Sequence, residues 1–219
     1  MAIPIKAIIF DMDGVIIDSE PLWRKAMIKA FNELGINFTE EDCIKTTGMR
    51  IHEVIEHWQI IYPSQIKSPS LLKTSIHNYL INYINQEGKA LPGFVELLDF
   101  LKKNNYKIGL ATSSDNVLIE AVLSKLNVAD NFDALISAED LTYGKPHPEV
   151  YLHCANLLGV IPQQCLVIED SINGIISALA AQMKVLGIPD YEQLNNVKFK
   201  VATGIISHLG EVKDFLLAS

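Results

Sequence analysis

The chain has 219 residues, 49% of them hydrophobic and 20% charged, with a formal net charge of −8 at pH 7. This balance excludes an intrinsically disordered chain, and so acidic a protein lacks the cations that displace counterions from nucleic acid, which excludes a non-specific nucleic-acid binder. Its three cysteines, Cys43, Cys154 and Cys165, are too widely spaced for a disulfide framework or a zinc cluster and read as reduced, buried thiols.

Residues 5–10 are a short apolar run that predicts a first strand, ending at Asp11-Met12-Asp13-Gly14-Val15. Those acids arrive before a signal-peptide core could form. From residue 19 to 90 the periodicity is helical, with no convincing strand. Met27, Ala30, Phe31 and Leu34 make one stripe and Ile76, Leu80, Tyr83 and Ile84 another. Gly35, Gly48, Pro63 and Gly88 punctuate this stretch, which predicts an antiparallel helical bundle inserted after the first strand. Beyond it, Phe94, Leu97, Leu98 and Leu101 mark a further helix. A second strand is predicted at 107–111, leading into Thr112-Ser113-Ser114-Asp115-Asn116, and a third at 134–136, followed after a loop by Lys145-Pro146. The fourth, 165–168, leads into Glu169-Asp170-Ser171 and a helix carrying Ile172, Ile175, Ile176 and Leu179. A fifth strand at 184–188 and a weaker sixth within 201–206 complete the series.

Alternating strands and amphipathic helices predict a doubly wound α/β fold with a parallel sheet covered on both faces. The expected division is a catalytic core domain of residues 1–18 and 91–219 and an α-helical cap domain of residues 19–90. No apolar run approaches the roughly 20 residues needed to cross a bilayer, so a cytoplasmic protein with no membrane partner is expected, and a monomer needs no special pleading.

Ligands in open α/β sheets bind beyond the carboxyl ends of the strands. If the strands are parallel, Asp11, Asp13, Glu169, Asp170, Thr112 and Lys145 converge there. Four carboxylates in one place repel unless a cation or protons neutralise them, and hard oxygen ligands at this density suit Mg²⁺. Taken singly each signal is weak. A carboxylate pair two residues apart is commonly a solvated turn, a lysine before proline is usually a surface residue, and an acid pair at a helix N-terminus is ordinary. Only the ordered set is specific.

In that order, the strand-borne Asp11-Met12-Asp13-Gly14-Val15, the Thr112 hydroxyl, Lys145-Pro146 and Glu169-Asp170-Ser171 resemble the four motifs of the haloacid dehalogenase superfamily. The match runs over roughly residues 5–216. Residues 18–23, Thr47-Gly48-Met49-Arg50, Leu91-Pro92-Gly93 and Lys145-Pro146-His147-Pro148 resemble its β-phosphoglucomutase-like branch. Within that branch the chain looks most like the bacterial 2-deoxyglucose-6-phosphate and hexitol phosphatases.

The resemblance implies a Mg²⁺-dependent phosphatase of a small phosphorylated metabolite, working through an aspartyl-phosphate. Asp11 is then the nucleophile, and Asp13 the acid that protonates the leaving oxygen and the base for the water that follows. The ion is expected on Asp11, the main-chain carbonyl of Asp13 and Asp170, with Glu169 helping in contact or through water. Thr112 and Lys145 are expected to grip the phosphoryl oxygens. Ser113, Ser114 and Asn116, with Arg50, Trp23 and Glu20 from the cap, are the candidate substrate contacts, and Arg50 is expected to reach into the cleft. The mutase branch usually carries a His at the place of Trp23, and an indole cannot exchange protons, which favours water as acceptor. A sugar-phosphate mutase and a non-catalytic metabolite-binding protein remain as alternatives.

Overall fold

The protein is described by a computed structural model covering residues 3–46, 49–190 and 193–218. Thr47 and Gly48, part of the segment that carried the branch resemblance, lie outside the described residues. The strands β1 (Ala7–Phe10), β2 (Lys107–Thr112), β3 (Ala134–Ser137), β4 (Cys165–Glu169), β5 (Lys184–Gly187) and β6 (Gly204–Ile205) form one sheet in the order β3-β2-β1-β4-β5-β6. Every neighbouring pair is parallel. Strand order reverses between β1 and β4, the point at which such sheets open a crevice for ligands.

Between β1 and β2 the chain makes α1 (Glu20–Glu33), α2 (Glu40–Ile44), α3 (Ile51–Ile61) and α4 (Pro69–Glu87), and then α5 (Phe94–Lys103). The helices α6 (Asn116–Leu126), α7 (Glu149–Leu158), α8 (Ile172–Ala180) and α9 (Glu211–Ala218) follow the later strands. Strand side chains alternate between two cores, which is why the strands are apolar throughout. Ile8, Phe10, Leu110 and Ile168 face α5, α6 and α9, whereas Ala7, Ile9, Ala111 and Val167 face α7 and α8. Each fully buried Ile or Phe contributes roughly 1.5–3 kcal/mol relative to exposure.

The inserted helices form the expected cap, joined to the same apolar cluster as β1 through Ile16 and Ile17. Its centre is aromatic: the Phe31 and Phe38 rings stack at 4.1 Å, and Trp58 meets Phe38 edge-on at 4.9 Å. The chain leaves and re-enters the sheet side by side, with Ile17 bridged antiparallel to Ala90 and the Leu91 N–H donating to the Ile16 carbonyl at 3.1 Å. Two stripe residues expected in the core are on the surface. Leu34 lies past the last turn of α1, and Ile176 points outward because α8 packs through Gly174, Ile175, Ser177 and Ala178. No helix among the described residues is long and apolar enough to cross a membrane.

Candidate active site

Register builds the site. Phe10 is paired with Leu110 on one side and Ile168 on the other, so the register delivers Asp11, Thr112 and Glu169 to one edge, with Thr112 one residue further along than the other two. The Asp11 N–H donates to the Ile168 carbonyl at 3.0 Å, holding the strand end in place. The backbone then turns sharply at Gly14, whose φ of 72° is left-handed. Glycine is required there twice over, for that conformation and because a Cβ would collide with the Asp170 carboxylate. Gly174 does the same for Glu169: only the missing side chain lets the first turn of α8 pass over that carboxylate.

Lys145 is the hub. Its ammonium donates to Asp11 Oδ1 at 2.6 Å, to Glu169 Oε1 at 2.6 Å and to the Ala111 carbonyl at 3.2 Å, and it lies 4.9 Å from the centre of the Tyr151 ring. Burial, the largest influence, favours a neutral amine here, but Asp11, Glu169 and Tyr151 outweigh it and hold the lysine pKa well above its ordinary value. Glu169 is fully buried and saturated. Its Oε1 also accepts from the Tyr151 hydroxyl at 3.1 Å, and its Oε2 accepts from the Ser171 N–H at 2.7 Å and the Ser171 hydroxyl at 2.9 Å.

Asp13 is held on both oxygens. Oδ1 accepts from the Ser19 hydroxyl at 2.5 Å and the Trp23 indole N–H at 3.0 Å, and Oδ2 accepts from the Ser114 hydroxyl at 2.7 Å. Trp23 and Ser114, both expected to touch substrate and both on the cavity wall, also orient this carboxylate, and the Ser114 N–H donates to Thr112 Oγ1 at 3.1 Å.

Asp11, Glu169 and Asp170 each bring a carboxylate oxygen within 4.8 Å of the others. Burial pushes the Asp11 pKa up to about 7, with Lys145 pulling it down and Glu169 and Asp13 pushing it up. Burial first, then Glu169 and Asp11, raise Asp170 well above the carboxylate range. One ammonium does not compensate three buried acids, and a divalent cation on Asp11 and Asp170 would relieve the strain that these shifts express. The donor set fits a hard ion. Glu169, with its oxygens already engaged by Lys145, Tyr151 and Ser171, supports the cluster from behind it.

A cavity of about 140 Å³ opens above this floor. Thr112, Ser113, Lys145 and Asp170 line its base, and Met27, Cys43, Met49 and Val54 line its cap side, together with Trp23, Glu20 and Arg24. Glu20 pairs with Arg24 at 3.4 Å, and burial, ahead of Asp190 and Asp13, raises its pKa. Two expected contacts are not on the cavity wall. Asn116, exposed on the first turn of α6, donates to Asp140 Oδ2 at 2.6 Å, and Arg50 turns away to the seam between cap and sheet. Arg50 is carried off because its position opens α3 on the side facing the turn after β3. Reading strand ends alone misses Tyr151, Ser19 and Gly174, since all three act from within or before helices. Only the spacing of Tyr151 six residues after Lys145, and of Gly174 after Ser171, offered a signal.

Similarity to known proteins agrees with this geometry. The family profile described as haloacid dehalogenase-like hydrolase matches residues 8–188. Hexitol phosphatase B of Escherichia coli K12 is 39% identical over 215 residues, 97% of each chain. A phosphorylated carbohydrates phosphatase of Thermotoga maritima is 30% identical over 204 residues, 92% of this chain and 93% of that one. The crystal structure of β-phosphoglucomutase from Clostridium difficile superposes with a TM-score of 0.81 at 29% identity, covering 98% of both chains.

Proposed function

The chain belongs to the haloacid dehalogenase-like hydrolases and is an enzyme of the phosphatase kind, and we propose that it hydrolyses small sugar and polyol phosphates of the hexose or hexitol type through a phosphoryl-aspartate on Asp11. One observation carries the reading: a buried carboxylate at a strand end, 2.6 Å from a lysine and within 4.8 Å of two further acids, on the floor of a cavity.

Asp11 attacks phosphorus in line. The P–O bond to the sugar breaks as the bond to Asp11 forms, and the departing oxygen takes its proton from Asp13. Water then attacks the aspartyl-phosphate, Asp13 accepts its proton, and inorganic phosphate leaves Asp11 as a carboxylate. The contacts on Asp13 support both roles, since Ser19 and Ser114 hydroxyls can donate or accept and so hold either protonation state, whereas the Trp23 indole only donates. Lys145 and Thr112 hold phosphoryl oxygens. Asp11, Asp170 and the main-chain carbonyl of Asp13 would hold Mg²⁺, which when bound neutralises phosphoryl charge. Residues 19–90 act as the cap that excludes bulk water from the core domain of residues 1–18 and 91–219.

The test is phosphate release from a panel of hexose and hexitol phosphates with and without Mg²⁺. Stoichiometric phosphate without an isomeric sugar phosphate separates hydrolysis from mutase chemistry. Asp11→Asn is expected to lower turnover by at least about 10³-fold; a variant near wild type would remove Asp11 as nucleophile.

A further inference from the structure

Arg50 is the most prominent charged residue that the chemistry above leaves without a task. It precedes the first turn of α3, on the cap, and its side chain is only 11% exposed. Its guanidinium crosses to the sheet domain. Nη1 lies 3.4 Å from both the Ala138 and the Leu141 carbonyl oxygens, while Nη2 meets Glu53 Oε1 at 2.8 Å and so keeps its charge compensated. The two carbonyl contacts are long, and closeness of packing matters more. Beneath the guanidinium runs the backbone of Gly144, so near that a Cβ there would lie 2.7 Å from Arg50 Nε. Gly144 immediately precedes Lys145.

The same turn is gripped from the cap a second time. His52 Nδ1 lies 2.9 Å from Glu139 Oε2, and Lys73 on α4 reaches that oxygen at 3.4 Å and Asp115 Oδ2 at 2.9 Å. Three cap side chains therefore hold the segment 138–144, which carries the chain from β3 to Lys145. We infer that Arg50 is a positioning residue: it clasps the cap to the segment before Lys145, fixes that lysine against Asp11 and Glu169 when the cap is closed, and does not touch substrate. Cap position and the phosphate-gripping lysine are thereby coupled. Among the described residues, the charge on the cap's wall of the cavity is the Glu20–Arg24 pair. The kinetic consequence rests on the phosphatase reading; the clasp itself does not.

Arg50→Gln and Gly144→Ala test it together, because Gly144 does not line the cavity and the three atoms nearest its added methyl all belong to the Arg50 side chain. Both variants are expected to lower kcat by about tenfold, equally for p-nitrophenyl phosphate and for a hexose 6-phosphate, since a displaced lysine harms every ester. The double variant is expected to be no worse than either single one. Arg50→Lys keeps the charge but not the planar fork and is expected to rescue little. In amide hydrogen exchange, residues 141–145 are expected to exchange faster in Arg50→Gln than in wild type. A loss confined to KM for the hexose phosphate, with p-nitrophenyl phosphate and Gly144→Ala unaffected, would make Arg50 a substrate ligand and overturn the inference. Unchanged exchange in 141–145 overturns the clasp whatever the turnover, and a wild type inert towards all phosphate esters instead defeats the phosphatase reading while the exchange result still decides this one.

Discussion

The floor and the roof of the cavity are built on opposite plans. On the floor, Asp11, Lys145 and Glu169 have buried side chains; Asp11 and Glu169 stand at strand ends whose register leaves them little freedom, and Lys145, on the loop after β3, is tied to both. On the roof, Met27, Cys43 and Val54 on helices and Met49 in the bend before α3 present apolar surface, the Glu20–Arg24 pair lies beside them, and polar side chains at the seam join cap to sheet. A buried polar network is intolerant because each member left unpaired costs its full desolvation, whereas an apolar wall loses only area when altered. On the proposed reading, reaction chemistry is placed where the packing tolerates least change, and substrate choice where it tolerates more.

The sharpest way to break this contrast is on the floor. Gly174→Ala puts a methyl into the Glu169 carboxylate and forces it off Lys145, Tyr151 and Ser171. Turnover is expected to fall by about 10²-fold or more, with a lower Tm; wild-type activity would show the network to be slack.

A second test uses the charge stored there. Between the ordinary Asp11 value of 3.8 and its raised value of about 7, the folded metal-free chain holds a proton that the unfolded chain has released. The Asp170 pKa is also raised, adding to the effect. Stability of the metal-free protein is therefore expected to increase as pH falls through that window and to be lost as pH rises through it. Asp170→Asn is expected to raise the metal-free Tm near neutral pH and to remove the further rise that Mg²⁺ is expected to give wild type. Thermal melts with a chelator and with Mg²⁺ read both, and a lower Tm in the variant would mean that the acids do not repel.

The smallest effect belongs to the roof. Met49→Ala removes a partly exposed side chain from the cavity wall. KM for hexose phosphates is expected to change by about two- to threefold, with Tm and kcat on p-nitrophenyl phosphate unchanged. A large loss of kcat there would erase the distinction between the two surfaces.

Strand positions were legible because a sheet buried on both faces needs apolar runs without alternation, and the runs ended at the residues that form the floor. Helical stripes were legible more coarsely: periodicity marked Phe94, Leu97, Leu98 and Leu101 well, yet Leu34 and Ile176 carried the pattern onto the surface. Asp11, Asp13, Thr112, Lys145, Glu169 and Asp170 could be drawn together from strand ends alone. The tasks of Ser114, Trp23, Tyr151 and Arg50 could not, because each depends on a partner far away in the chain.

What the sequence by itself determined is the series of strand ends and the acids and lysine set upon them, since hydrophobic patterning and turn chemistry are local properties. Tertiary structure alone decided that Trp23 reaches Asp13, that Tyr151 supports Glu169, and that Arg50 lies over Gly144 and not in the cavity. The first and third turn on how the cap sits against the sheet and the second on how α7 packs on β4, and side-chain direction across such seams is set by packing that no single segment encodes.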